Sequence, residues 1–245
     1  MIISLAGKQI DLSFLYESTR RFLKDYEVTS DIQTESDFSV VIRPEHIERE
    51  RKKAAREDLA SGLSPRQFPD AYLEQLAIYR QIAEKMPFYQ TLLIHGSVIA
   101  VDGKGYMFTA KSGTGKSTHA RLWRELLGER ARMINDDKPL VRITESGIKA
   151  FGTPWDGKHH LSMNAQAPLK AICFLEQAKE NSIEPITSQE AYLPLLAQVY
   201  RPADPQALAK SLQLLDILKE KVSFFHLACN MDPDAARIAW EMMRS

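Results

Sequence analysis

The sequence predicts an α/β protein with a mixed sheet and a small α+β region at its N-terminal side, and three observations carry that reading. Short apolar runs of strand character recur along the chain and alternate with stretches whose apolar residues repeat every three or four positions. A glycine-rich loop separates a strand-like run at 105–109 from a helical stretch at 118–127, giving the order strand, loop, helix. The first 45 residues hold only short apolar runs divided by polar stretches, too little for a large core of their own.

The elements follow in chain order. Apolar runs at 1–6 and 38–42 read as strands, and 12–26 reads as a helix. The run IERERKKAAREDLASGLSPRQ is dense in alternating charge and closes on Ser-Gly and Ser-Pro, as an exposed helix running into a loop does; with no further role, it is a solvated face. From 69 to 86 the residues Leu73, Leu76, Tyr79, Ala83 and Met86 share one helical face, which Pro87 ends. Two β-rich runs joined by Asp102-Gly103 form a hairpin whose second strand feeds the glycine-rich loop. The helix after the loop stops at Gly128. Strands are expected at 132–134, 140–143 and 170–175, an amphipathic helix through Leu208, Leu212, Leu215 and Leu218, a strand in VSFFHLAC, and a last helix opened by Asp232-Pro233. The division expected is 1–90 for the N-terminal α+β region and 91–245 for the core.

Composition narrows the functions. A chain of 245 residues has ample core, leaving roughly 11,000 Å² exposed of about 40,000 Å² when unfolded. Lys plus Arg number 32 and Asp plus Glu number 32, so no global field exists to hold nucleic acid or an anionic membrane, and any anion site is local. The longest apolar stretches fall short of the roughly 20 residues of a membrane span, and the first residues lack the pattern of a secretion signal. Cys173 and Cys229 both lie in apolar runs, which suits reduced core thiols and a cytoplasmic location.

Residues 110–117 read A-K-S-G-T-G-K-S, the phosphate-loop pattern in all but its first glycine, where Ala110 places a Cβ at the entry turn. Backbone N–H groups of Ser112, Gly113, Thr114 and Gly115 would curl around a polyphosphate, with Thr118 in the first turn of the helix behind them. Lys116 would reach the β- and γ-phosphates, and the Ser117 hydroxyl would ligate Mg²⁺. About twenty residues on, Asp136 and Asp137 end a short strand. Phosphoryl transfer from Mg·ATP needs one acid at the metal and one to accept the proton of the attacking hydroxyl, tasks this pair could divide; Asp-Asp after a strand is also an ordinary turn. His95 falls on the strand paired with the one that feeds the loop, either as a core histidine or facing metal and phosphate. The loop 151–160 carries Trp155, Lys158, His159 and His160, groups that bind anions or stack, and could close over substrate; Trp155 and Lys158 are the substrate candidates.

With these residues in order, the chain resembles the HPr kinase and PEP-carboxykinase-like superfamily, and more closely its short bacterial members, through HGS…GYxFTAxSGTGKSTH…NxDKPL…GTPWxGK. The resemblance implies a PEP-carboxykinase-like phosphate-loop core, Asp137 as the base, Asp136 and Ser117 at the metal, and His95 near metal and γ-phosphate. Some relatives phosphorylate serine in a protein or peptide, including lasso peptide precursors. GTPWDGK stands where the HPr kinase signature would follow the acidic pair, which counts against HPr itself as substrate. The chain also lacks a recognisable arginine-rich oxaloacetate site, which counts against decarboxylation. The expected activity is an ATP- and Mg²⁺-dependent kinase acting on a hydroxyl, a serine of a peptide or protein or a small molecule. The alternatives are a PEP-carboxykinase-like lyase and a non-catalytic nucleotide-binding regulator. Its expected partners are ATP and that acceptor, with neither nucleic acid nor membrane, and a homo-oligomer is left open. Edge-capable runs at 2–6 and 39–42 make the N-terminal region a candidate for acceptor selection, beside a purely structural layer.

Overall fold

The computed structural model describes residues 1–29, 35–157 and 160–245, which divide into the units Met1–Lys85 and Met86–Ser245. In the first, β1 (Ile2–Leu5) and β2 (Lys8–Ser13) pair antiparallel, and β3 (Phe38–Val41) lies parallel to β2. Ile3, Leu5, Ile10, Leu12 and Val40 alternate inward and are buried. That period of two overrides the helical reading of 12–26: Leu12 and Ser13 complete β2, and only Glu17–Phe22 forms a helix, α1, with a 3₁₀ turn at Lys24–Tyr26. The charge run becomes α2 (Pro44–Ala60), followed by α3 (Asp70–Lys85). It is not a wholly solvated face, because Glu50 and Asp58 are buried, answered by Arg80 of α3 and by Arg66.

The second unit is a mixed sheet with helices packed on it. Its strands are β4 (Thr91–Leu93), β5 (Ser97–Val101), β6 (Lys104–Thr109), β7 (Ala131–Asn135), β8 (Leu140–Thr144), β9 (Gly147–Phe151), β10 (Gln166–Gln177), β11 (Ser182–Ile186) and β12 (Ser223–Cys229). Its helices are α4 (Lys116–Leu127), α5 (Ser188–Leu196), α6 (Pro205–Lys219) and α7 (Asp234–Met243). The hairpin forms as expected, with Asp102 at φ 49° in the turn between β5 and β6.

Long β10 organises the sheet. Its start pairs with β9, which continues to β8 and β4; its remainder runs parallel to β6 on one edge and β12 on the other. Two apolar cores result. Leu92, Val98, Met107, Ile172, Leu195 and Leu215 belong to one, and Tyr106, Phe108, Trp123, Cys173, Leu227 and Ala239 to the other. Strands β9 and β11 and helix α5 escape the periodicity reading because each is short and half exposed.

Register then decides where chemistry gathers. Strand β5 pairs antiparallel with both β6 and β7, matching Ser97 to Phe108 and Val98 to Asn135. The start of β5 and the ends of β6 and β7 therefore meet at one end of the sheet, and parallel β10 finishes there too. His95, the glycine-rich loop and Asp136-Asp137 follow or precede those strand ends by one or two residues.

Candidate active site

The loop leaves β6 at Ala110 and enters α4 through Gly115, whose φ of 114° no L side chain adopts without strain. The Ala110 side chain is buried in the apolar core, so a residue with a Cβ is accommodated at the entry turn. Lys116 is 8% exposed and curls back, its Nζ donating to the carbonyls of Ala110 at 3.1 Å and Lys111 at 3.4 Å. Burial pushes this ammonium below the usual lysine range, while the charge of Asp137 acts the other way.

Two cavities flank the loop. The smaller, about 320 Å³, is lined by Ser117, Thr118, Arg121, Arg124 and Asp136 among others. The larger, about 790 Å³, is lined by loop residues including Ser112, Gly113 and Thr114, with Phe174, Glu176 and Gln198 facing them.

Asp136 lies in the smaller cavity at 4% exposure. Its Oδ1 accepts the Gly157 N–H at 2.5 Å, and Oδ2 has no partner among the described residues. Burial pushes this carboxyl above its ordinary range; the Gly157 N–H opposes that, and the Asp156 and Asp137 carboxylates add to it. An orphaned oxygen in a cavity that Ser117 also lines fits a divalent cation, which can take only one or two protein oxygens and complete its shell with other oxygen ligands. No group of three His, Cys, Asp or Glu side chains stands ready for a metal among the described residues.

Asp137 has a different setting. Its Oδ1 lies 3.4 Å from His95 Nε2, and its Oδ2 forms an ion pair with Lys138 Nζ. Burial alone would raise this carboxyl, but the His95 hydrogen bond and the Lys138 ammonium prevail and hold it below the usual carboxylate range. His95 sits not within a strand but in the break between β4 and β5; its carbonyl accepts the Thr109 hydroxyl at 2.7 Å, and its Nδ1 lies 3.2 Å from Gln198 Oε1.

The reading of the motifs missed Asn135, which holds the turn in shape. Fully buried, it accepts the N–H groups of Asp137 at 2.9 Å and Lys138 at 2.6 Å, and its Nδ2 donates to the carbonyls of Thr153 at 3.1 Å and Trp155 at 3.4 Å. Loop 152–157 is thereby pinned to the acidic pair. A Cβ on Gly157 would meet Asp136 Oδ2 at 2.6 Å, so a side chain here would push the carboxylate from its place. The signal was available, since Asn135 opens the stretch NxDKPL. Trp155 is 6% exposed, which places its indole to pack rather than to stack on a substrate from solvent. Lys158, the other substrate candidate, lies outside the described residues, as does His159. His160 pairs with Asp156 at 2.9 Å.

Residues 72–235, about two thirds of the chain, match the family described as SynChlorMet cassette protein ScmC. The chain belongs to the ScmC family. The matched stretch contains His95, the glycine-rich loop, Asn135, Asp136, Asp137 and Gln198. No curated protein matches this ScmC-family chain. Among solved structures, it is similar to the HPr(Ser) kinase/phosphatase from Coxiella burnetii, with 10% identity over 62% of this chain and 99% of that one and a TM-score of 0.35. No helix among the described residues is long and apolar enough to cross a membrane.

Proposed function

We propose that this protein is an ATP- and Mg²⁺-dependent phosphotransferase that moves the γ-phosphoryl group of ATP to a hydroxyl, that of a serine in a peptide or protein or of a small molecule. One observation carries the reading: at the end of the sheet where the glycine-rich loop enters α4, adjacent carboxylates have separate surroundings. Asp136 has an orphaned oxygen in a cavity shared with Ser117, and Asp137 faces His95. Bound Mg·ATP would supply an electrophilic phosphorus and a leaving ADP. The loop N–H groups and Lys116 would bind the phosphates, and Ser117 and Asp136 would hold the metal. Asp137 would take the hydroxyl proton as oxygen bonds to phosphorus and the bridging P–O bond breaks, while His95 keeps that carboxylate ionised and aligned. On this division the larger cavity, lined by Ser112, Gly113 and Thr114, would take the nucleotide, and the smaller one, with Ser117 and Asp136, the metal.

A second reading, a nucleotide-binding regulator without transfer, draws support from the engaged state of Lys116 and from the ion pair between Asp137 and Lys138. Incubation with γ-labelled ATP and candidate acceptors separates the two, since only a kinase labels an acceptor. For the binding half, Lys116→Ala should weaken Mg·ATP affinity in calorimetry at least tenfold, about the effect of one charge-assisted phosphate contact. An unchanged affinity removes the phosphate-loop assignment.

A further inference from the structure

His95 has a partner that the acidic pair does not account for. The segment after α5 is laced to the chain around this histidine: the His95 N–H donates to the Gln198 carbonyl at 2.9 Å, and the Tyr200 N–H to the Leu93 carbonyl at 2.9 Å. Between them Ile94 and Val199 form an antiparallel bridge. This pairing fixes the Gln198 backbone directly beside the histidine, although 103 residues separate the two in sequence. The Gln198 side chain then reaches the ring, its Oε1 3.2 Å from Nδ1, while Nε2 faces Asp137 Oδ1 at 3.4 Å. Gln198 also lines the larger of the two cavities.

We propose that Gln198 is a positioning residue that holds the His95 ring against Asp137, so that Gln198, His95 and Asp137 act as one hydrogen-bonded row beside the glycine-rich loop. The proposal rests on the reading of Asp137 as the proton acceptor. A primary amide suits the task because it has both a donor and an acceptor. Its oxygen accepts from a protonated Nδ1, and its NH₂, after rotation about the terminal bond, donates to a bare one. With Nε2–H directed at Asp137, the ring therefore keeps its bond to Gln198 whether Nδ1 is bare or protonated, which a leucine of similar volume cannot ensure. A carboxylate at this place can only accept, which fixes the proton on Nδ1.

The experiment uses the full chain labelled with ¹⁵N at histidine, with long-range ¹H–¹⁵N spectra of the imidazole rings in the wild type, Gln198→Leu and Gln198→Glu. The Leu variant should move the His95 Nδ1 resonance while leaving the buried His119 ring in place. The Glu variant should give an Nδ1 signature of a hydrogen-bond donor. His95 resonances that coincide in all three proteins overturn the proposal. If the Leu variant does not fold, Gln198→Ser is read in the same way. Where an acceptor is phosphorylated, Gln198→Leu should lower kcat about tenfold with KM for ATP within about twofold, a pattern of lost transition-state alignment; equal kcat overturns the proposal while leaving the kinase assignment intact. A wild type that binds no Mg·ATP overturns the kinase assignment, and the Nδ1 resonance still decides whether Gln198 holds the ring.

Discussion

Glu74 and Asp136 are both acids almost out of reach of solvent, one in each unit, and their surroundings differ. Glu74 accepts the N–H groups of Leu15 at 2.5 Å and Tyr16 at 3.2 Å and the hydroxyl of Thr19 at 2.6 Å. Its neighbours in that unit are treated alike: Glu50 is held by Arg80 Nε at 2.7 Å, and Asp58 by the Arg66 N–H at 2.8 Å and its guanidinium at 2.7 Å. Asp136 has one donor and an oxygen with none, and in the same helix-loop region His119 is buried with both ring nitrogens unpartnered among the described residues. Burial pushes that imidazole down to about 4, so it packs as a neutral ring edge-on to Phe108. A buried acid with filled lone pairs organises a fold, while one left half filled beside a glycine-rich loop keeps capacity for a cation. The contrast can be broken at four places.

The largest effect is expected at Asp137, where only transfer is at stake. Asp137→Asn keeps the size of the side chain and its N–H bond to Asn135, so Mg·ATP affinity should stay within a few-fold. Removal of a general base should lower the labelling rate by roughly 10² to 10⁴. If labelling persists in Asp137→Asn and vanishes in Asp136→Asn, the roles of the two carboxylates are reversed.

Next comes Glu74→Ala, which strands three donors, one of them on a fully buried threonine. Losses of roughly 3 kcal/mol are expected from unsatisfied groups of this kind, visible as a lower Tm, with Mg·ATP affinity unchanged in calorimetry. Equal Tm values would show that filled lone pairs do not mark a structural acid here.

These two residues also show what the sequence could disclose. The glycine-rich loop was legible because Gly, Lys and Ser stand there at fixed local spacing between a strand-like and a helical run, and the acidic pair because it ends a short apolar run. The hairpin that brings them together was legible from Asp102-Gly103. Glu74, in contrast, reads as one more polar position on α3, because its partners lie 55 to 59 residues away. Gln198 is hidden for the same reason, and the strand over Leu12 and Ser13 was missed because two buried alternating positions are too short a pattern to outweigh a helical one.

A smaller effect, of opposite sign, is expected at Asp136. Asparagine keeps an oxygen for the Gly157 N–H and removes a charge whose burial is disfavoured. Asp136→Asn should therefore match the wild type without ligand or exceed its stability by up to about 1 kcal/mol, seen as an equal or higher Tm, and lose the extra stabilisation that Mg·ATP gives. Equal Mg·ATP-induced shifts in Tm in both proteins would remove Asp136 from the metal site.

The smallest effect separates the two kinds of acid by pH. Arg66, through its side chain first and its N–H second, holds the Asp58 carboxyl below the ordinary range. A carboxyl with a depressed folded pKa contributes stability that is fully present above its unfolded value, about 3.9, and is lost as pH falls through the folded value. Arg66→Ala removes the guanidinium and leaves the N–H donor, so part of that contribution should remain. The Arg66 side chain is 65% exposed, so solvent screens the pair and the change at neutral pH should be modest. The Tm difference between wild type and Arg66→Ala should be largest near pH 7 and shrink below about pH 4, as Asp58 takes up its proton in both proteins. Asp136 should run the other way, because its raised folded pKa makes acid favour the native state. An Arg66→Ala difference that stays constant from pH 7 to about pH 3 would mean that the pair acts through packing of the arginine stem rather than through charge.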